Sequence, residues 1–184
     1  AFLRDINPEL INAYRAVRDY PQELMRRLDE HAICFRANPK IYYYEVRSRH
    51  NLPEGEIVER AARMIFLNKT CFNGLWRVNA RGEFNVPIGS HRNPSLYDEE
   101  NILAASRALQ GVHLDVQDFR ITLAETRRGD FAYIDPPYYP ISLTANFTSY
   151  TKEDFGVEEQ NELHAVCATA AARGVRLMLS NSDT

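Results

Sequence analysis

Asp135-Pro136-Pro137-Tyr138, directly after the short apolar run Phe131 to Ile134, is the most chemically suggestive stretch of this 184-residue chain. Two consecutive prolines force an extended, rigid path and bar a helix immediately after the strand. They also leave carbonyl oxygens without neighbouring N–H donors, available to accept from a ligand. An acid, a fixed carbonyl and an aromatic ring in succession make a clamp for a planar amine. Asp135 and the Pro136 carbonyl would each accept one proton of an exocyclic NH2, while the Tyr138 ring stacks on the base. The lone pair of such an amine is delocalised into its ring, and two acceptors held on it favour rehybridisation toward a nucleophile. Preorganised acceptors also stabilise positive charge on the amine as an electrophile arrives. The plainer alternative is a proline-rich turn with an exposed tyrosine.

Two further acids finish predicted strands, Asp5 at the end of Ala1 to Asp5 and Asp118 two residues beyond Val116. Ligands of open parallel sheets bind in the crevice at the carboxyl ends of the strands, so Asp5, Asp118 and Asp135 are candidates to share one edge. Against this stands the general preference of Asp for strand-end turns and helix N-caps.

The elements that must position these residues follow from hydrophobic spacing. Asn7-Pro8-Glu9 is a helix start, with Asn as N-cap and Pro at the first helical position. Leu10, Ile11, Tyr14 and Val17 then predict a helix over about 8–19. Pro21 opens a second helix, and residues 38–50 and 55–68 predict two more. Four helices without an intervening strand indicate a helical insertion into an α/β fold. Next, Leu75-Trp76-Arg77-Val78-Asn79 and Glu83-Phe84-Asn85-Val86-Pro87-Ile88 alternate apolar and polar residues around Gly82, which predicts a β-hairpin with one dry and one wet face. Strand and helix then alternate: a helix over 98–109, strands at Val112 to Val116 and Phe131 to Ile134, a helix over 158–172, and a strand at Val175 to Leu179. The predicted architecture is an α/β, Rossmann-like doubly wound sheet cut at both ends and interrupted by a helix-and-hairpin insertion. Residues 1–30 and 96–184 would form the catalytic part, and residues 31–95 the insertion.

Composition sets outer limits. An apolar fraction of 45% and a charged fraction of 26% are those of an ordinary globular protein. No apolar run is long enough to cross a bilayer and no secretory signal precedes the first charges, so a membrane partner is not expected. Cys34, Cys71 and Cys167 are too widely spaced for a zinc site or a disulfide framework, which makes a reducing, cytoplasmic setting the default. No histidine has ligand spacing, so no metal is expected. The net charge of -3 conceals a local patch, Lys69, Arg77, Arg81 and Arg92 against the single acid Glu83. Tyr42, Tyr43, Tyr44, Trp76 and Phe84 are read as packing residues, and Cys71 as a buried thiol rather than a nucleophile.

Taken together, these motifs resemble the Dam-type family of DNA adenine-N6 methyltransferases. Asp135-Pro136-Pro137-Tyr138 is similar to the family's catalytic motif, and Leu143 to Tyr150 to the loop that follows it. Asn73 to Asn79 with Arg81 to Pro87 resembles the family's DNA-recognition hairpin, Ala1 to Asn12 the segment that holds the cofactor ribose, and Leu179-Ser180-Asn181 a later strand. The resemblance spans essentially the whole chain in the family's own order.

It implies a methyl transfer from S-adenosyl-L-methionine to adenine N6 in double-stranded DNA, with GATC as the expected target, by a bacterial or phage-encoded enzyme with no obligate protein partner. Asp5 would bind the cofactor ribose, with Ile6 against its adenine; Asp118 and Phe119 would frame that adenine. Asp135, Pro136 and Tyr138 would hold the target base, flipped out because N6 is unreachable inside a stacked duplex. Phe72 would enter the vacated space and Asn73 would bond the orphaned thymine. Arg77 would read a guanine edge from the hairpin, where Leu75 also lies against DNA, while Lys69, Arg81 and Arg92 would meet phosphates. The chain departs from the family in two respects: the glycine-rich cofactor loop and the terminal basic segment are not in it, and Ser90-His91 replaces a bulkier basic pair. The alternatives are a DNA-binding relative without turnover, and an enzyme acting on RNA or a protein amide.

Overall fold

A computed structural model describes residues 1–50, 52–90, 93–137 and 155–181. These residues fall into two compact units, Ala1–Trp76 with Glu83–Val116, and Arg77–Gly82 with Gln117–Thr184.

In the first unit β1 (Phe2–Asp5) pairs in parallel with β2 (His113–Val116), with Leu3 opposite Leu114 and Asp5 opposite Val116. On one face the Phe2 and His113 rings stack at 4.8 Å and Arg4 meets Asp115 at 3.6 Å. The other face carries Leu3 and the buried Leu114. Helix α1 (Pro8–Asp19) starts as its sequence predicts, because the Asn7 side chain accepts from the N–H groups of Glu9 and Leu10 at 3.0 and 3.4 Å. Arg15 and Arg18 on this helix donate to the Leu114 and Val112 carbonyls at 2.7 and 2.9 Å, fastening the helix to β2.

Helices α2 (Pro21–Ala37) and α3 (Pro39–Ser48) also open on proline, whose missing N–H costs nothing in the first turn. With α4 (Ile57–Thr70) and α5 (Glu99–Ala108) they complete a helical layer. Its core joins Leu24, Leu28 and Phe35 to Tyr43, Val46, Phe66 and Leu67, and to Phe84 and Val86 from the segment after α4. The packing roles read for the aromatic residues hold. Tyr43 is fully buried and donates to the Val86 carbonyl at 2.9 Å, and Trp76 lies 4.9 Å from Phe84.

The second unit holds α6 (Phe119–Ala124), β3 (Phe131–Ile134), α7 (Val157–Ala172) and β4 (Arg176–Leu179). β3 and β4 are parallel, with Ile134 opposite Leu179. The chain is thus a mixed α/β protein with parallel strands in both units. Hydrophobic spacing gives no sign of α6; Asp118, expected at a strand end, is its N-cap.

The predicted hairpin needs correction. Among the described residues no regular strand forms over 75–88; bridge residues occur singly. The base of the segment is closed by an antiparallel bridge between Cys71 and Ile88, by the Phe72 N–H on the Pro87 carbonyl (2.9 Å) and by the Gly89 N–H on the Thr70 carbonyl (2.9 Å). A regular ladder fails because Pro87 has no N–H to give and because Asn79 competes for the turn, taking the Arg81 N–H on its own side chain at 2.9 Å. The alternation survives only in the second arm, where Phe84 and Val86 are buried and Pro87 is exposed.

Candidate active site and DNA-facing segment

β3 delivers Asp135 at its carboxyl end, where the two prolines prevent continuation into a helix. Asp135 is exposed and Pro136 buried. The Ser180 hydroxyl, one residue beyond β4, hydrogen-bonds Asp135 Oδ1, and the Ser180 N–H extends the β3–β4 ladder to the Ile134 carbonyl at 3.0 Å. From α7, Gln160 Nε2 donates to the Pro137 carbonyl at 3.1 Å, and Asn181 Nδ2 lies 3.5 Å from Gln160 Oε1. A carboxylate with one oxygen engaged and a proline-fixed main chain beside it can accept protons from an amine. Neither Ser180 nor Gln160 is legible in the sequence, because hydrophobic periodicity carries no signal for a polar side chain that bonds a distant strand end. Tyr138 and the run 143–150 lie outside the described residues.

Asp118 and Phe119 belong to the same unit. Asp118 Oδ1 accepts the Arg120 N–H at 2.7 Å, and its Oδ2 meets the Arg120 guanidinium at 2.8 Å. The Phe119 ring carries that guanidinium over it at 4.5 Å and touches Phe155 edge-on at 5.9 Å. Capping and local pairing therefore account for the visible bonds of Asp118, as the plainer reading of a lone strand-end acid allows.

Asp5 belongs to the first unit. Its carboxylate takes the Asn7 N–H at 2.7 Å, and burial pushes its pKa up against the pull of that bond. Asn7 is 4% exposed, and among the described residues its Nδ2 has no hydrogen-bond partner. A half-buried carboxylate two residues from a buried, unmatched amide donor suits a ligand with vicinal hydroxyls, which can donate to one and accept from the other. The residues present therefore fit a ribose. Ile6, next to them, is 45% exposed, an apolar surface open to a flat ring.

The DNA-facing candidates begin at the end of α4. Lys69 is exposed. Phe72 starts a 3-10 turn (Phe72–Gly74) and is 51% exposed. Asn73 follows at φ 53° and Gly74 at φ 63°, two successive left-handed residues. Asn68 Nδ2 pins this turn through the Gly74 carbonyl at 2.7 Å. Leu75 is half-buried, and its carbonyl accepts the Cys71 thiol at 3.2 Å. Burial raises the pKa of that thiol, in keeping with an inert buried cysteine. Arg77 and Arg81 belong to the second unit, where the Gly82 N–H closes a turn onto the Asn79 carbonyl at 2.8 Å. Arg92 lies outside the described residues. No group of acids, histidines and cysteines able to hold a metal occurs among the described residues, and no described helix is long and apolar enough to cross a membrane.

Residues 1–184 match the D12 class N6 adenine-specific DNA methyltransferases throughout, and the chain belongs to that family. It is 41% identical over 191 residues to the Type II methyltransferase M1.LlaDCHI of Lactococcus lactis subsp. cremoris, covering 100% of this chain and 66% of that protein. The Type II methyltransferase M.MjaIII of Methanocaldococcus jannaschii is likewise 41% identical over 186 residues, with 98% of this chain and 64% of that protein covered. The DNA adenine methylase of Escherichia coli K12 is 33% identical over 182 residues, 99% of this chain and 64% of its own length. The chain thus spans about two thirds of the length of these curated relatives.

Proposed function

We propose that the protein transfers a methyl group from S-adenosyl-L-methionine to adenine N6 at a specific site in double-stranded DNA, with GATC as the target. The reading is carried by the Asp135-Pro136-Pro137 turn at the end of a parallel strand in a chain that belongs to an adenine-specific methyltransferase family. The catalytic half comprises residues 1–30 and 96–184, with a Rossmann-like doubly wound fold, and residues 31–95 form the recognition insertion.

Asp5 and Asn7 hold the ribose hydroxyls, Ile6 packs on the cofactor adenine, and Asp118 and Phe119 flank it. When bound, S-adenosyl-L-methionine supplies a methyl group on a positively charged sulfur, an intrinsically good leaving group, so the transfer needs no metal. The chain's own residues act on the acceptor. Asp135 and the Pro136 carbonyl each accept a hydrogen bond from one N6–H, which turns the nitrogen lone pair out of conjugation and stabilises the charge that develops on N6 until one of the two protons is released to solvent. Tyr138 stacks on the flipped base. Phe72 fills the gap left in the duplex and Asn73 bonds the unpaired thymine, both presented by the left-handed turn. Arg77 reads guanine, Leu75 lines the contact, and Lys69, Arg81 and Arg92 neutralise phosphates.

The test is label transfer from methyl-labelled cofactor to oligonucleotide duplexes by the full-length protein, with GATC and its single-base variants compared. Transfer to adenine that vanishes in Asp135→Ala supports the reading. Duplex binding with no transfer by the wild type would instead make the protein a DNA-binding relative without turnover, and transfer to other sequences would replace GATC.

A further inference from the structure

We propose that Ser180 and Gln160 are positioning residues that fix which acceptors the Asp135-Pro136-Pro137 turn offers to the substrate amine. The assignment rests on the methyl-transfer reading above and adds two residues to it.

The turn contains more acceptors than a single NH2 group can use: two carboxylate oxygens and the carbonyls of successive residues. An amine bonded to the wrong pair would have its lone pair aimed away from the incoming methyl group. Two hydrogen bonds remove that ambiguity. The Ser180 hydroxyl occupies Asp135 Oδ1, which fixes the rotation of the carboxylate and leaves Oδ2 to face the amine. Gln160 Nε2 occupies the Pro137 carbonyl at 3.1 Å, which leaves the preceding carbonyl, that of Pro136, as the main-chain acceptor.

Both donors are anchored by regular elements. Ser180 is held by its own N–H on Ile134 at the end of the β3–β4 ladder, and its hydroxyl also lies 3.4 Å from the Ile134 carbonyl. Gln160 lies in the first turn of α7, a helix whose start is fixed by Glu159 accepting the Gly156 N–H at 2.8 Å. Asn181, 3.5 Å from Gln160 Oε1, links the two donors into one chain of contacts. Groups held on a strand and a helix keep a reacting geometry better than groups on loops, and small misplacements of a reacting group are expensive in rate.

The test is steady-state methyl transfer by the full-length protein carrying Ser180→Ala, Ser180→Thr or Gln160→Met, with cofactor affinity measured by calorimetry and Tm by differential scanning. The expected result is a fall in kcat of roughly 10- to 100-fold for Ser180→Ala and for Gln160→Met. KM for DNA and cofactor affinity stay at wild-type values, Tm is little changed, and Ser180→Thr recovers most of the rate because it restores a hydroxyl. Unchanged kcat in both loss variants overturns the assignment. So does a fall in kcat that tracks a fall in Tm or in cofactor affinity, or one that threonine leaves uncorrected. A wild-type protein that transfers no methyl group overturns the functional reading itself, a different and recognisable failure.

Discussion

Gly89 lies so close to Cys71 that a Cβ at position 89 would stand 2.5 Å from the Cys71 carbonyl oxygen and 2.9 Å from its carbonyl carbon. That approach lets the chain returning from the segment after α4 pair with the end of that helix, through the Gly89 N–H on the Thr70 carbonyl at 2.9 Å. The obstacle to any side chain here is backbone, which cannot swing aside as a side chain would. Gly89→Ala is therefore expected to destabilise the protein by about 1–3 kcal/mol, the range typical of overpacking, and to weaken DNA binding. Urea denaturation and a duplex binding titration check both; an unchanged midpoint would refute the account of the loop base.

Asn73 combines a left-handed backbone with a side chain assigned to an orphaned base, and the two roles can be separated. At φ 53° an alanine is strained by roughly 1–2 kcal/mol, whereas glycine is not. Asn73→Gly should keep wild-type stability yet lose specific DNA affinity and turnover, while Asn73→Ala should lose stability as well. Should Asn73→Gly bind and methylate as the wild type does, the side chain has no part in recognition.

His31 is buried in the helical core, stacked on Phe66 at 4.9 Å, with Nδ1 2.8 Å from the Tyr42 hydroxyl and no partner on Nε2 among the described residues. Burial, aided by the Arg27 charge, pulls its pKa down to about 4. Because the folded value lies below that of the unfolded chain, protonation favours unfolding. The contribution is intact above pH 6.5 and is lost as the pH falls toward 4. By pH 5 the loss amounts to about 2 kcal/mol. His31→Phe should remove this part of the slope of stability against pH between 7 and 5. Parallel slopes for the two proteins would show that His31 is not the group responsible.

Much of this was legible in the sequence, for identifiable reasons. The proline-opened helices and the Asn7 cap rest on local rules that tertiary context seldom overrides, and the Asp-Pro-Pro motif pins a strand end by covalent stiffness alone. The hairpin was misjudged because alternation records which face is buried and says nothing of whether the neighbouring backbone can form a ladder; Pro87 and Asn79 decide that. Helix α6 is not legible because an acid after a strand reads the same whether it binds a ligand or caps a short helix. Ser180 and Gln160 escaped notice because their roles depend on partners 45 and 23 residues away.

For Asp5 a pKa raised by burial has a consequence opposite to that of an ordinary salt-bridged acid. Its ionised form is penalised in the folded protein, so stability falls as the pH rises through the window between the unfolded value and the raised folded value. Asp5→Asn removes that penalty while keeping an acceptor for the Asn7 N–H. The variant should melt at a higher temperature than wild type at neutral pH, with the difference closing as the pH approaches 4. It should also bind S-adenosyl-L-methionine more weakly, roughly 10- to 100-fold, because a charged acceptor for the ribose hydroxyls is gone. Stability gained together with affinity lost is the mark of a residue kept for ligand binding; a variant that loses stability and binds cofactor normally would contradict it.

Asp118 offers the sharpest separation of a structural role from a functional one, because its visible side-chain bonds are an N-cap and an ion pair with Arg120. Serine caps a helix as well as aspartate does, whereas alanine costs about 1 kcal/mol. If Asp118 only starts α6, Asp118→Ser should restore both the stability and the cofactor affinity lost in Asp118→Ala, the half-exposed ion pair with Arg120 adding little. If it also borders the cofactor adenine, as the functional reading has it, serine should restore stability alone and the affinity should stay low. The second outcome is the one expected, and calorimetric titration of both variants beside their melting curves decides it. Full recovery of affinity by serine would confine Asp118 to capping and leave Phe119 to flank the adenine without it.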